Sequence, residues 1–286
     1  SDDNATEKSQ KTAVPEGFWG LPSTFPANTN PRGGPMRTGV VSIRILAALL
    51  AMIALPCCRS STLTSASVSL HSEPQCYGEG IPLQYLILGD STTVAEGGTY
   101  ENGLAVRSAR YLGSSARVEL VNLGISGATI RDVLTIQLPR ARALKPDIVL
   151  VVAGSNDVTH LTSSSAINRD LMRILDRIVT LNCEAKVIVT GAADMGSPPR
   201  IPRILRGIAA GWSKRLNRVF RKVTADRQMT FAPIAEETGP LFRADHSLFF
   251  EDGFHPNDRG YALWTTVINK ALDEALKSQP THCEQR

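Results

Sequence analysis

LILGDSTTVAEGG, residues 86–98, carries three apolar residues straight into Gly89-Asp90-Ser91 and then into a polar, glycine-bearing stretch. A strand that ends by presenting a serine admits three readings: a loop that cradles phosphate, an aspartate-based phosphatase motif, or a serine nucleophile on a strand-to-helix turn. The phosphate loop fails because no G-x-x-x-x-G-K-[ST] is present and no lysine follows. The phosphatase motif would want a second aspartate at position 92, where the chain has Thr92. The nucleophile leads.

Working outward, apolar runs recur with helix-sized gaps: PLQYLILGD (82–90), RVELVNLG (117–124), DIVLVVAG (147–154), AKVIVTGAAD (185–194) and MTFAPIA (229–235). Between them lie amphipathic stretches such as IRDVLTIQLPRARAL, INRDLMRILDRIVTLN and RILRGIAAGWSKRLNRVFRKV, and YALWTTVINKALDEALK closes the series. Runs as apolar as VLVV and VIV suit strands covered on both faces, as parallel sheets with crossover helices require. The expected fold is a three-layer α/β/α sandwich, flavodoxin-like, with a five-stranded parallel sheet over residues 82–278. Ligands gather beyond the carboxyl ends of such strands. Three of those ends are polar or glycine-rich: Gly89-Asp90-Ser91, Asn122-Leu123-Gly124 and Gly154-Ser155-Asn156-Asp157.

A serine nucleophile needs a general base, and the base needs an orienting carboxylate. EDGFHPNDRGY supplies both just before the closing helix, with Asp252 three residues ahead of His255. At that spacing the carboxylate can accept the Nδ1 hydrogen while Nε2 faces Ser91. An oxyanion would need donors already in place, and the N–H groups of Ser91 and Gly124 with the Asn156 amide are the candidates. Asp90 and Asp157 read as carboxylates that brace loops. Of the remaining histidines, His71, His160, His246 and His282 read as surface or structural, with His160 and His246 placed to line the cleft.

Gly89-Asp90-Ser91, Gly124 within NLGISG, Gly154-x-Asn156-Asp157 and Asp252-x-x-His255 together resemble the four blocks of the SGNH (GDSL) hydrolase superfamily. Thr92 departs from the leucine common in that family. The resemblance implies Ser91, Asp252 and His255 as catalytic residues, with Ser91, Gly124 and Asn156 as the oxyanion hole. The five cysteines show no metal-ligand spacing and no metal or cofactor is expected; the resemblance widens the substrates of an acyl-enzyme route to lipids, lysophospholipids, thioesters and acetylated glycans. A carbohydrate O-acetylesterase and a catalytically silent envelope-binding protein of the same fold are the alternatives.

The composition fits this class. A chain of 286 residues with net charge +4, 42% hydrophobic and 20% charged, lacks the dense basic clustering of a nucleic-acid binder. Residues 1–35 carry no apolar periodicity and are expected to be disordered. Residues 36–67 read as a signal peptide, with Arg37 and Arg44 ahead of an apolar run from Ile45 to Leu55. That run is too short for a bilayer span, and Pro56 weighs against a lipoprotein site at Cys57. The protein is therefore expected to be secreted or in the cell envelope, with residues 68–81 a linker and 279–286 a tail. Export would leave Cys76, Cys183 and Cys283 in an oxidising compartment, with Cys76–Cys283 the preferred bond. The helix over 200–227 is read as a buried stripe of Ile204, Ile208, Trp212, Leu216, Val219 and Val223 beneath basic faces. Weak contact with an anionic envelope surface is the alternative there. Leu241, Phe242, Leu248, Phe249, Phe250 and Phe254 are expected to pack under the Asp252–His255 loop, and some to wall an acyl pocket. No signal of oligomeric state is present.

Overall fold

The computed structural model describes residues 74–278 and Cys283. The segment expected to be disordered, the expected signal peptide, residues 68–73 of the stretch read as linker, the tail residues other than Cys283, and His71 and His282 lie outside the described residues.

One mixed sheet of six strands runs in the order β1-β3-β2-β4-β5-β6. The strands are β1 (Gln75–Tyr77), β2 (Pro82–Gly89), β3 (Arg117–Asn122), β4 (Ile148–Val152), β5 (Lys186–Val189) and β6 (Thr230–Phe231). The five expected strands are parallel, and β6 is only two residues long because Ile234 already opens a helix. The sixth strand is a correction. β1 lies within the stretch read as linker and pairs antiparallel with β3, Cys76 opposite Glu119. It covers the edge of β3 that would otherwise present unpaired backbone groups.

Alternation along β2 builds both cores. Leu86 and Leu88 face one side with Val149 and Val151, and Tyr85 and Ile87 face the other with Ile148 and Leu150. The first face is covered by α3 (Ser164–Leu181), α4 (Arg203–Asp226) and a helical stretch made of Ile130–Asp132, π-helical Val133–Gln137 and Leu138–Arg140. The second is covered by α1 (Leu104–Leu112), α5 (Ile234–Ala244) and α6 (Asp258–Lys277). From β2 the chain steps to β3 on one side and then crosses back to β4 on the other, so β2 is the topological switch point, and a cleft is expected at its carboxyl end.

The buried face of α4 differs from the expected stripe. Leu205, Ala209, Ser213, Leu216, Asn217, Phe220 and Val223 are buried, whereas Ile204 is 84% exposed and Ile208 44% exposed. Polar residues occupy the buried face because they bond the neighbouring loop. Asn217 accepts from the Ala192 N–H and donates to the Ala192 carbonyl, both at 2.8 Å, and Ser213 Oγ accepts from the Met195 N–H at 3.1 Å.

The disulfide also differs from expectation. Cys183, just ahead of β5, bonds Cys283 beyond the end of α6, while Cys76 is exposed and outside any disulfide among the described residues. The sheet order explains this, since β1 is an outer strand four places from β5, and Lys186 on β5 bonds the Ser278 carbonyl where α6 ends.

Candidate active site

β2 ends at Gly89, whose N–H and carbonyl are both taken by the Gln137 carboxamide, at 2.8 and 2.7 Å. Gln137 is fully buried and braces the strand end from the π-helical stretch. Asp90 follows, buried, with Oδ1 accepting the Thr92 N–H at 3.0 Å and the Thr92 hydroxyl at 2.7 Å. The hydroxyl that departs from the family pattern thus ties the turn. Burial pushes the Asp90 carboxyl up against those hydrogen bonds. Asp157 is a second brace: Oδ2 accepts the Ile130 N–H at 2.9 Å, and burial pushes its pKa up to about 6.

The turn held this way presents Ser91 to the far loop. Ser91 Oγ lies 3.0 Å from His255 Nε2, and His255 Nδ1 lies 2.6 Å from Asp252 Oδ2. The other Asp252 oxygen accepts the N–H groups of Phe254 at 2.8 Å and His255 at 3.0 Å, so one carboxylate both folds the turn and orients the ring. Around it, Phe250 N–H donates to the His255 carbonyl at 2.8 Å and Phe249 bridges to Pro256, closing a tight loop ahead of α6. Burial pushes the Asp252 carboxyl up, but the bonds from His255 and the two N–H groups outweigh it and hold it below the usual carboxylate range. Ser91 and His255 are both buried to within 8% of their surface.

Asn156 opens the short helix α2 (Ser155–Thr159) and donates one amide hydrogen to the Ala128 carbonyl at 3.1 Å, which leaves the second hydrogen for a ligand. Gly124 does not join it, against expectation. Its N–H donates to Asn122 Oδ1 at 3.0 Å, and a Cβ there would lie 1.7 Å from Thr93 Oγ1, so close packing accounts for the glycine. The glycine three residues on is the one that reaches the cleft. Gly127 has φ +80°, lines the cleft with Ser91 and Asn156, and its N–H, like that of Ser91, has no partner among the described residues. NLGISG carries both glycines, and spacing alone does not separate them.

The residues expected around the site therefore divide. Ser91, Asp252, His255 and Asn156 come together, Gly124 stands behind them, and His160 lines the cleft with Nδ1 2.7 Å from the Asn156 carbonyl. His246 instead lies against Phe249, with ring centroids 6.4 Å apart.

A family profile, that of the GDSL-like lipase/acylhydrolase family, matches residues 87–263. The chain belongs to that family. No curated protein sequence matches it. Among solved structures it resembles the psychrotrophic esterase EstA from Pseudoalteromonas sp., with a TM-score of 0.54 and 20% identity over 68% of this chain and 99% of that one. It also resembles the lipase/acylhydrolase from Enterococcus faecalis (TM-score 0.52, 21% identity, 70% and 98% covered). The Clostridium thermocellum family 3 carbohydrate esterase is a third (0.53, 18%, 68% and 98%). At these identities the likeness is one of fold.

A groove of about 330 Å³ runs from Ser91 and His255 along the amino-terminal half of α4, floored by Leu161, Met195, Leu205, Ile208, Trp212 and Phe254. The aromatic loop ahead of His255 gives it only Phe254. Phe242 and Phe249 are buried against each other and near Trp264, at 5.0 and 6.1 Å from the Phe242 ring, and Leu248 is buried with them. Leu241 and Phe250 point to solvent. The loop's aromatics are thus mostly its support, and the apolar wall comes from α4. Among the described residues no three His, Cys, Asp or Glu side chains cluster as a metal site would require.

Proposed function

We propose that this acylhydrolase-family protein is a serine esterase that cleaves carboxylic esters through an acyl-enzyme intermediate. The observation that carries the reading is the unbroken chain from Ser91 Oγ to His255 Nε2 at 3.0 Å and from His255 Nδ1 to Asp252 Oδ2 at 2.6 Å. As Ser91 Oγ bonds to the ester carbonyl carbon, its proton passes to His255 Nε2 and the carbonyl electron pair moves onto oxygen. That oxyanion meets the N–H groups of Ser91 and Gly127 and the spare amide hydrogen of Asn156. Asp252, still ionised, faces the imidazolium. Collapse expels the alkoxide, which takes the proton from His255. Water then repeats the sequence, its proton going to His255 and on to Ser91 as the acid leaves.

The groove along α4 supports an acyl chain longer than acetyl as its occupant, and this favours the acyl-ester reading over that of a glycan O-acetylesterase. Export of the protein is part of the proposal. The segment 36–67 and the bond between Cys183 and Cys283 support it, because disulfides persist in oxidising compartments. Labelling with a fluorophosphonate probe tests the chemistry. The wild type should be modified at Ser91, and Ser91→Ala and His255→Ala should lose the label and lower kcat on order of 10⁴ or more with the fold intact. An unlabelled wild type would leave the silent binding protein as the reading.

A further inference from the structure

Glu96 belongs to none of the blocks that the sequence singles out, yet three loops of the site meet on it. Its N–H donates to the Ser91 carbonyl at 3.0 Å, and its carbonyl accepts the Tyr261 hydroxyl of α6 at 2.6 Å. The backbone is therefore held between the serine turn and the helix that follows His255. From there the side chain crosses the cleft. Glu96 Oε2 accepts the Ser126 hydroxyl at 2.8 Å and lies 3.9 Å from His255 Nε2.

We propose that Glu96 is a positioning residue of this site: through Ser126 it holds the Gly127 N–H in line with Ser91 and Asn156, and its charge faces the imidazolium that forms on His255. The proposal rests on the serine-esterase reading above.

The turn that carries Gly127 needs such a tie. Ser126 and Gly127 are exposed, and the turn's own bond is the one from Ala128 N–H to the Ile125 carbonyl at 3.0 Å. A donor on a loose turn must be ordered as charge develops, whereas one already placed costs no reorganisation. A hydroxyl bonded to a carboxylate is among the stronger ties available, since one partner is ionised. The second role follows from the surroundings of the ring. Asp252 holds Nδ1, Asp90 is buried behind the serine turn, and the positive charge nearby is Arg200, stacked over Phe254 at 5.9 Å. Among the described carboxylates, Glu96 is the one that comes within 4 Å of Nε2. At 3.9 Å it is outside hydrogen-bond reach of Nε2, so it acts on the ring as a charge and leaves the proton to Ser91.

Three variants separate the roles. Ser126→Ala removes the tie and keeps the charge, Glu96→Gln keeps an acceptor for Ser126 and removes the charge, and Glu96→Ala removes both. Each is measured for kcat and KM on p-nitrophenyl esters, for active-site number by fluorophosphonate titration, and for affinity to an alkyl boronic acid, whose tetrahedral adduct mimics the intermediate. Ser126→Ala and Glu96→Gln should each lower kcat about tenfold, below the 10² to 10³ lost with a whole oxyanion donor. Glu96→Ala should lose more than either, with KM within about twofold, and boronic acid affinity should fall in step with kcat. Full kcat in Ser126→Ala and Glu96→Gln would overturn the proposal, as would losses matched by an equal fall in titratable sites. A wild type that neither labels nor cleaves esters would instead refute the esterase reading itself.

Discussion

Ile208→Asp places a carboxylate in the groove along α4 without disturbing the sheet, because Ile208 is 44% exposed and lines the groove from the outer face of the helix. If acyl chains lie there, each methylene withdrawn from water contributes about 0.8 kcal/mol. Octanoate carries six more methylenes than acetate, but the groove is open along one side. Counting half the full gain, octanoate should exceed acetate by about 2 to 3 kcal/mol, or roughly 50-fold in kcat/KM where the contacts persist in the transition state. The assay is kcat/KM on p-nitrophenyl esters from acetate to laurate. Wild type should rise from acetate to at least octanoate. Ile208→Asp should keep the acetate value within about twofold and reduce the octanoate advantage to about fivefold or less, since a charge beside the chain must be desolvated. Phe250→Ala, which the aromatic loop first suggests as a pocket variant, should leave the profile unchanged because Phe250 faces solvent. A wild-type profile that peaks at acetate and falls with length would refute the groove as an acyl site and put acetylated glycans first.

Other consequences can be checked alongside. Asn156→Ala should cost about 10² to 10³ in kcat with little change in KM, and a rise in KM alone would contradict its place at the oxyanion. Gly124→Ala should lower thermal stability, by about 1 to 3 kcal/mol for an overpacked core site, because the new methyl meets Thr93 Oγ1. Adding Thr93→Ala should restore it, while a stable Gly124→Ala that lost kcat 10²-fold would return the donor role to Gly124. Asp157 has its pKa raised from 3.8 to about 6, so the folded state holds its proton more tightly than the unfolded one. The burden on stability is thus absent below pH 4, grows through that window and is complete above pH 6, about 3 kcal/mol in size. Asp157→Asn keeps an acceptor for the Ile130 N–H and should raise the melting temperature at pH 7 to 8 but not at pH 4; a gain equal at both would show another origin. Cys283→Ser opens a loop of 100 residues and should cost about 2 to 4 kcal/mol in denaturant unfolding, with no change in wild-type midpoint on reduction counting against the bond.

What was legible in the sequence was whatever depends on the chain's local order. The apolar runs named the five parallel strands because a strand buried on both faces leaves no other pattern, and their carboxyl ends named Ser91 and Asn156 because parallel strands all deliver their ends to one edge. Asp252 and His255 were legible because three residues suffice to close the turn that joins them. The failures share a different cause, in that each turns on which side chain fills a space. Asn122 reaches the Gly124 N–H at 3.0 Å and so excludes it from the cleft, a fact about a side chain that strand spacing does not carry. The buried face of α4 keeps Leu216 and Val223 of the expected stripe but is displaced from Ile204 and Ile208, for a related reason. A hydrophobic pattern selects the largest apolar residues, but the face turned to the sheet uses Ala209, Ser213 and Asn217, the last two tied to loop backbone. That displacement is also what makes the groove. Ile208 and Trp212, read as core, line the cleft side of the helix, beside the serine that a strand end had marked and the histidine that the turn before α6 had marked. Apolar residues in excess of what the sheet needs, on a helix that lines the groove beside Ser91 and His255, are the feature on which the proposed acyl-chain site rests.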